Sequence, residues 1–197
     1  DGTEIRTPSD LAGKTVGVTG LPSDDAVLDS VLGAGGLEPS SVHRVTIGFN
    51  AVADLRAGKL DAATAFWNAE GVTLARDGVP IREFRVDQFG APRYPELILC
   101  TTAKLARDDP ELVRAVRRAT TRGYLVAAHD PERALNSLLD ATNGLDPAEQ
   151  HAELRALDDA DAFLPVGRFR AAPLIAWSRW EVSHGVVDHP PSLEAFG

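Results

Sequence analysis

A tryptophan, an amide and a carboxylate lie close together in the segment FWNAEG, at Trp67, Asn68 and Glu70. The apolar run over residues 62–66 predicts a strand before them, and the pattern that follows predicts a helix that ends before Gly78. In one interpretation, Asn68 caps this helix and Trp67 packs in the core. In the other, all three face a ligand: the ring stacks on a flat heterocycle, while the amide and the carboxylate bind its polar edge.

Comparable polar and aromatic residues stand in three other segments, at 20–24, 48–50 and 88–96. The first two segments each follow a predicted strand. The carboxyl ends of parallel strands meet at one edge of a sheet, where ligands of α/β proteins bind. We therefore expect all three segments to converge with the FWNAEG segment on one rim. Ser23 and Asn50 also suit helix N-caps, so a purely structural role for each stays open.

Short β-rich runs alternate with helical patterns in the first half of the chain. This alternation predicts a mostly parallel sheet joined by right-handed crossovers. The predicted strands cover residues 15–19, 42–47, 62–66 and 81–85. A crossing that contains Gly and Pro follows at 88–96. The apolar run ELILCTT after it predicts one further strand, in which the single cysteine, Cys100, is a small buried hydrophobe.

The second half of the chain is predicted to be almost wholly helical. Four helices are expected, at residues 109–128, 131–141, 147–157 and 172–184. Asp-Pro pairs begin the first three of them, with the aspartate at the N-cap and the proline at the first helical position. The predicted class is therefore α/β, with a helical C-terminal part.

The charge distribution argues against a nucleic-acid partner. The net charge of −9 comes from 29 acidic and 20 basic residues, and the basic residues are scattered along the chain. Such a distribution offers no positive face for phosphates. The sequence also contains no run of 18 apolar residues and no signal-peptide pattern. If the protein is exported, its signal has been removed from this sequence.

Motifs of several enzyme classes are missing from the sequence. The turn at 20–24 has neither glycine pattern of a phosphate-binding loop, and its two aspartates, Asp24 and Asp25, would repel a polyanion. The five histidines are dispersed without metal-ligand spacing, and no Gly-x-Ser-x-Gly nucleophile elbow occurs. These absences favour a binding protein over an enzyme, with no cofactor and no metal.

Several longer segments resemble one family. They are TPSDLAGKTVGV, VTIGFNAVADLRAGKLDAATAFWNAEGV, FRVDQFGAPRYPELILCTT, RGYLVAAHDPERAL and GVVDHPPSLEAFG. The chain is similar to the thiamine-pyrimidine-precursor branch of the substrate-binding proteins of ABC importers, whose superfamily includes the yeast pyrimidine synthases. The FWN-x-EG and P-x-YPEL pieces are typical of that branch. The resemblance implies a type II periplasmic-binding-protein-like fold, in which two α/β lobes close on a ligand by a hinge.

Within that fold, the resemblance implies one complete α/β lobe at residues 11–90. The return crossing strand and the helical remainder of the other lobe would follow at 91–197. The implied ligand is a free or formylated aminopyrimidine, held in the cleft between the lobes. The candidate ligand-binding residues are Trp67, Asn68, Tyr94 and Glu96, then Asn50 and Glu70, and Ser23 on the predicted rim. The implied partner is the membrane permease of an ABC importer, and the implied location is extracytoplasmic, in the periplasm or as a cell-surface lipoprotein.

The first third of the family's chain has no counterpart in this sequence. We therefore expect the ELILCTT strand to lack neighbours and a second copy to cover it, which gives a homodimer. Three alternatives stay open. One is a synthase-like enzyme that makes the pyrimidine from pyridoxal phosphate and its own histidine, although the cysteine-rich motif of the yeast enzymes is missing. The others are a binding protein for a nitrate-, sulfonate- or riboflavin-precursor-type ligand, and an interaction or sensory module that reuses the fold.

Overall fold

Three short parallel strands form the centre of the N-terminal part of the protein in the computed structural model, which describes residues 4–167 and 170–192. They are β1 (Thr15–Val18), β2 (His43–Thr46) and β3 (Ala62–Ala63), in the order β2-β1-β3. Val16 of β1 lies opposite Arg44 of β2 and Ala62 of β3. β1 is therefore the central strand, and the predicted parallel sheet is confirmed.

Helices alternate with these strands, as the sequence indicates. They are a 3-10 turn at Pro8–Leu11, α1 (Pro22–Ala34), a second turn at Pro39–Ser41, α2 (Ala51–Arg56), α3 (Glu70–Arg76) and a third turn at Val86–Gln88. Helix α1 begins two residues earlier than predicted, with Leu21 at the N-cap and Pro22 as the first helical residue, so Ser23 is not the cap. Proline suits that position because its φ is already helical and its missing N–H would have no partner there.

The core of this part of the chain lies between the sheet and α1. Val16 and Val18 of β1 are buried, and Leu32 of α1 is 0% exposed. The buried residues of this cluster are Leu11, Val16, Val18, Leu28, Val31, Leu32 and Val42. Their burial holds α1 on the sheet, and with it the turn that follows β1.

An ion-pair network joins β2 to α1. The Arg44 guanidinium donates to the Asp25 carboxylate at 2.7 Å and also binds the Asp29 carboxylate. Burial by itself would lower the pKa of Arg44, but its hydrogen bonds to Asp29 and Asp25 outweigh burial and raise the pKa above its usual value. Charge therefore joins β2 to α1, beside the apolar packing of α1 on β1.

The described residues divide into two compact units. One unit contains the residues up to Tyr94 together with those from Arg170 onward, and the other contains the residues between them. The C-terminal helix α8 (Ala171–Ser183) therefore belongs to the same unit as the sheet. The predicted division between residues 90 and 91 groups this helix with the second half of the chain instead. The assignment of residues 11–90 and 91–197 to two lobes of a clamp stays a prediction.

The predicted strand at residues 81–85 is not formed. These residues have no ladder partner in the part of the chain that the structure describes. Phe84 instead packs against the core cluster and meets Phe89 edge to face, with ring centroids 5.5 Å apart. Side-chain contacts hold this segment in place, because no neighbouring strand among the described residues supplies backbone hydrogen bonds.

The prediction of a buried strand at residues 96–102 is also wrong. This segment is irregular and exposed throughout, and Leu97 is 81% exposed. Cys100 is exposed too, contrary to the prediction of a small buried hydrophobe. A strand forms only where another strand accepts its backbone hydrogen bonds, and none of the described segments does so here. The apolar run is present without the partner that would make it a strand.

The second unit is helical. Its helices are α4 (Ala103–Asp108), α5 (Pro110–His129), α6 (Pro131–Ala141) and α7 (Pro147–Asp159). The three predicted Asp-Pro helix starts are confirmed. Asp109 accepts from the Leu112 N–H at 2.9 Å, and Asp130 accepts from the Arg133 N–H at 3.1 Å. Each of these bonds satisfies a backbone donor that the helix itself leaves unpaired.

The exposed apolar run leads to a prediction about association. Leu97 and Leu99 expose 81% and 58% of their surfaces, and an unpaired apolar segment is a template for pairing with another chain. We expect light scattering at micromolar concentration to show a dimer or a larger species. Leu99→Lys should shift the population towards monomer, whereas Leu164→Lys, at an exposed leucine outside the run, should not. A monomeric unaltered protein would contradict the expected homodimer.

Candidate functional site

The carboxyl ends of the three parallel strands share one edge of the sheet. A connecting segment follows each strand, and we call the three segments the rim: residues 19–24 after β1, 47–50 after β2 and 64–70 after β3. The topology therefore places Ser23, Asn50 and Trp67 at one edge, where α/β proteins commonly bind small molecules.

Large apolar side chains stand exposed on the rim, one after each strand. Leu21 follows β1 and is 53% exposed, Phe49 follows β2 and is 78% exposed, and Phe66 follows β3 and is 47% exposed. Aromatic faces stack well on planar rings, and a ligand that covers them removes their apolar surface from water. The rim thus presents aromatic surface suited to a flat ligand.

Asp24 joins α1 to β1 and to the segment after β3. The Thr19 N–H donates to Asp24 Oδ2 at 3.1 Å, and the Thr64 hydroxyl donates to the same oxygen at 3.0 Å. The Thr64 N–H in turn donates to the Gly17 carbonyl at 2.9 Å, which aligns it with β1. Thr19, Asp24 and Thr64 are all half-buried. The Asp24 carboxylate is therefore a positioned acceptor on the rim.

Sequence reasoning places Asp24 in the predicted rim segment at 20–24 but does not identify it as a ligand-binding residue. Its charge suits the first turn of a helix, and this local role is sufficient to explain it. Asp24 and Thr64 are 40 residues apart in the chain, so no local spacing indicates their contact. The only available signal is that both follow strands whose carboxyl ends meet.

Trp67 is half-buried, and an arginine lies over its ring. The guanidinium carbon of Arg85 is 4.0 Å from the ring centroid, a cation–π contact. Asn68 does not cap α3, because the helix begins at Glu70 with Ala69 at the N-cap and no side-chain cap hydrogen bond. The interpretation of Asn68 as a cap is therefore wrong. The ligand-binding roles of Trp67 and Asn68 stay predictions.

Glu70 and Asn50 bond within the turns that contain them. The Glu70 carboxylate accepts from the Phe66 N–H at 2.9 Å, at the start of α3. The Asn50 amide donates to the Ile47 carbonyl at 3.0 Å, although Asn50 makes no side-chain cap bond to α2. Each polar group has a partner in its own segment, which favours a role in shaping the rim.

Tyr94 belongs to a stack of aromatic rings that includes residues of α8. It stacks on Trp177 with ring centroids 3.6 Å apart, and Trp177 stacks on Trp180 at 4.5 Å. His184 lies 4.3 Å from Trp180. We call these four residues the aromatic column. A protein side chain already occupies one face of Tyr94, so stacking of a ligand on that face requires the contact with Trp177 to open.

Ser30 of α1 anchors the aromatic column. Trp180 Nε1 donates to Ser30 Oγ at 3.0 Å, and Ser30 Oγ lies 3.2 Å from His184 Nε2. His184 Nδ1 lies 2.8 Å from the Trp180 carbonyl oxygen, which only accepts. In the neutral imidazole Nδ1 therefore carries the proton, and Nε2 accepts from the Ser30 hydroxyl. Ser30 is buried and bonded on both sides, which makes this serine–histidine pair a structural link between α1 and α8.

The remaining candidates are Glu96 and Ser23. Glu96 is exposed and belongs to the helical unit, in the irregular segment before α4. Ser23 is half-buried in the first turn of α1. Their roles in ligand binding stay predictions.

Other features of the described residues add no metal or membrane site. No three His, Cys, Asp or Glu side chains among them gather as ligands for a metal ion. None of the described helices has the length and apolar character needed to cross a membrane. A groove of about 470 Å³ contains none of the seven candidate residues; its lining includes Arg6, Pro8, Arg82, Phe84 and Phe89.

A solved structure shares the fold. The alkanesulfonate-binding protein SsuA from Xanthomonas axonopodis pv. citri, bound to MOPS, superposes with a TM-score of 0.68 at 19% sequence identity. The match covers 96% of this chain and 63% of that protein. The α/β chain with its parallel sheet therefore has the type II periplasmic-binding-protein-like fold that the resemblance implies.

The family follows from the sequence comparison. This chain belongs to the NMT1/THI5 like family, whose sequence model matches residues 1–134. The resemblance stated from the sequence motifs is thereby confirmed.

Two curated relatives differ in the function that their names give. The formylaminopyrimidine-binding protein of Halalkalibacterium halodurans is 33% identical over 137 residues, which cover 69% of this chain and 42% of that protein. The 4-amino-5-hydroxymethyl-2-methylpyrimidine phosphate synthase of Legionella pneumophila is 27% identical over 141 residues, which cover 70% of this chain and 44% of that protein. The chain thus spans about two fifths of the length of these relatives.

Proposed function

We propose that this protein is a solute-binding component of an importer for thiamine pyrimidine precursors, with a free or formylated aminopyrimidine as its ligand. The observation that carries the proposal is the rim, where exposed aromatic rings, Trp67 and the positioned Asp24 carboxylate share one edge of a parallel sheet. Membership of the NMT1/THI5 like family and similarity to a formylaminopyrimidine-binding protein support this class of ligand.

An aminopyrimidine matches the rim in shape and in hydrogen bonding. Its flat ring can stack on Phe49, Phe66 or Trp67, and each well-placed aromatic pair contributes about 0.5–1.5 kcal/mol beyond burial. Its exocyclic amino group donates, and carboxylate and amide oxygens on the rim accept. A ligand without this donor would leave a buried acceptor unpaired, so such a site discriminates strongly between analogues.

The candidate residues divide into contacts and supports. We assign Trp67 and Asn68 as direct ligand contacts, and Glu96 as an acceptor for the polar edge of the heterocycle. Tyr94 becomes a contact through the face that Trp177 does not cover, or through the covered face once its stack on Trp177 opens. Asn50 and Glu70 shape the rim turns, and Ser23 stays a candidate ligand contact at the start of α1.

The proposed setting is an ABC importer outside the cytoplasm, in the periplasm or at the cell surface. In this proposal the ligand is held in a cleft between two lobes, and the binding protein delivers it to the membrane permease. The fold shared with an alkanesulfonate-binding protein supports a solute-binding role. The homodimer expected from the exposed apolar run belongs to the same proposal.

A binding measurement tests this function. We expect formylaminopyrimidine to quench tryptophan fluorescence and to raise the melting temperature, since a ligand at 100 times its Kd stabilises the fold by about 2.7 kcal/mol. Trp67→Ala should remove most of the quenching, because Trp177 and Trp180 are packed in the aromatic column. Glu96→Gln should weaken binding by more than about tenfold, or about 1.4 kcal/mol, with little change in the stability of the free protein.

The matched control is Glu111→Gln, which removes the same charge from another exposed glutamate of the helical unit. It should leave binding unchanged. Absence of any quenching or thermal shift in the unaltered protein would contradict the proposed function. Binding that is insensitive to Glu96→Gln would overturn the assignment of Glu96 alone.

A synthase activity is the second candidate function. The similarity to a pyrimidine phosphate synthase at 27% identity favours it. The test is incubation with pyridoxal phosphate and iron, followed by mass spectrometry of the small molecules and of the protein. We expect no pyrimidine product. Appearance of a product, together with loss of a histidine side chain from the protein, would replace the binding proposal with the enzymatic one.

A further inference from the structure

We propose that Asp24 sets the charge preference of the rim, so that the site accepts ligands that donate hydrogen bonds and rejects anions such as sulfonates. This inference rests on the proposed function for the identity of the ligand class. It goes beyond that function because it assigns the choice between hydrogen-bond-donating ligands and anions to one carboxylate. Asp24 is not among the seven candidate residues.

The Asp24 carboxylate is held in place from two directions. Oδ2 accepts the Thr19 N–H at 3.1 Å and the Thr64 hydroxyl at 3.0 Å. These donors belong to the ends of two different strand regions, so the position of the carboxylate follows from the sheet itself. An ionised carboxylate offers about four acceptor sites, and these two bonds leave Oδ1 with capacity to accept from a ligand.

The start of α1 would otherwise suit an anion. The N-terminus of a helix favours negative charge, because its first N–H groups lack partners within the helix and the helix dipole is positive there. In this protein, the first residue of α1 is Pro22, which has no N–H. The Asp24 N–H donates to the Leu21 carbonyl at 3.0 Å, and the Thr19 N–H is bonded to Asp24 itself. The chain's own carboxylate thus already takes the Thr19 N–H, a backbone donor beside the start of α1.

Carboxylates of α1 already bind one arginine of the sheet. Arg44 is bound to Asp25 and Asp29. A sulfonate at the turn after β1 would therefore meet the negative charge of Asp24, which Arg44 is not free to offset. An exocyclic amino group would find an acceptor instead.

The test is a pair of titrations, with formylaminopyrimidine and with MOPS, on the unaltered protein and on Asp24→Asn. In the variant, the asparagine oxygen can still accept from Thr19 and Thr64, while the negative charge is lost and the free branch becomes a donor. We expect the affinity for formylaminopyrimidine to fall by more than about tenfold, or about 1.4 kcal/mol. We also expect MOPS, which should not bind the unaltered protein measurably, to gain detectable binding.

Asp25→Asn is the matched control. It removes the same charge from the next residue of the same helix turn, but that carboxylate binds Arg44. It should change neither titration. A second variant, Thr64→Val, keeps the Asp24 charge and removes one of the donors that position it. Formylaminopyrimidine should then bind a few-fold more weakly, and MOPS should still be rejected, so the inference can be tested even if Asp24→Asn does not fold.

The outcomes separate this inference from the proposed function. If formylaminopyrimidine binds the unaltered protein and Asp24→Asn equally well, and MOPS binds neither, then the inference is overturned and the proposed function stands. If formylaminopyrimidine fails to bind but Asp24→Asn gains MOPS binding, then the proposed function fails and selection by charge stands. Binding of MOPS to the unaltered protein as tightly as to Asp24→Asn would also overturn the inference.

Discussion

Truncation of Trp180 to alanine is expected to lower the free energy of unfolding by about 3–5 kcal/mol, the usual cost of removing a buried tryptophan side chain. Trp180 is 7% exposed, and it lies between Trp177 and His184 in the aromatic column. Its Nε1 donates to the buried Ser30 hydroxyl at 3.0 Å. The substitution therefore opens a cavity and also removes a hydrogen-bond partner from a buried polar group.

Denaturant unfolding followed by circular dichroism measures this loss. Trp180→Phe is the informative control, because it keeps an aromatic ring between its neighbours while it removes the indole N–H and the five-membered ring. Its cost should be smaller than that of Trp180→Ala, with about 1–3 kcal/mol of it from leaving a buried polar group with one partner fewer. A loss below about 1 kcal/mol for Trp180→Ala would show that the column contributes little to stability, contrary to the burial of its central ring.

Leu32→Ala is expected to lower the free energy of unfolding by about 2–5 kcal/mol. Leu32 is 0% exposed, and its cluster includes Val16 and Val18 of the central strand. Alanine in its place leaves a cavity between α1 and the sheet, at the contact that positions the rim turn after β1. The midpoint of urea unfolding should therefore fall with little change in the slope of the transition.

Gly33→Ala is the matched control for Leu32→Ala. A Cβ at Gly33 would meet nothing within 4 Å, and Gly33 is exposed on the same helix. Alanine there should stabilise the protein by up to about 0.5–1 kcal/mol, because glycine loses more backbone freedom in a helix. If both substitutions destabilise equally, the effect of Leu32→Ala cannot be attributed to the core.

These stability variants separate two aromatic groups. The rings of the aromatic column pack on one another and on α1, so their truncation should act mainly on the free energy of unfolding. Phe49 and Phe66 are exposed on the rim, so their truncation should act mainly on ligand affinity. Tyr94 is the predicted ligand residue that the structure places in the first group, since its ring stacks on Trp177.

The sequence by itself determined the features that depend on near neighbours. The Asp-Pro helix starts are recognisable because the capping aspartate bonds an N–H only three residues ahead, as Asp109 does with Leu112. The first two strands are recognisable from their β-branched composition. The family is recognisable from long matching segments. The resemblance to that family implied the type II fold and the class of ligand that we propose.

The candidate site was predictable in part. The order of strands and helices was sufficient to bring Ser23, Asn50 and Trp67 to one edge, since parallel strands point their carboxyl ends the same way. The hydrogen bond between Asp24 and Thr64 was not predictable, because the two residues are 40 positions apart. The stack of Trp177 on Tyr94 was not predictable either, because Trp177 belongs to the C-terminal helix.

The tertiary structure alone decided which apolar runs became strands. Residues 81–85 and 96–102 have strand-like composition, as β1 does, but only β1 has neighbours on both sides among the described residues. Helix caps are satisfied within one segment of chain, whereas strand backbone needs a partner that folding must bring from a distance. For this reason composition located the helices closely, while the extent of the sheet, the Asp24 contact and the partner of Tyr94 were settled only by the packing of distant segments.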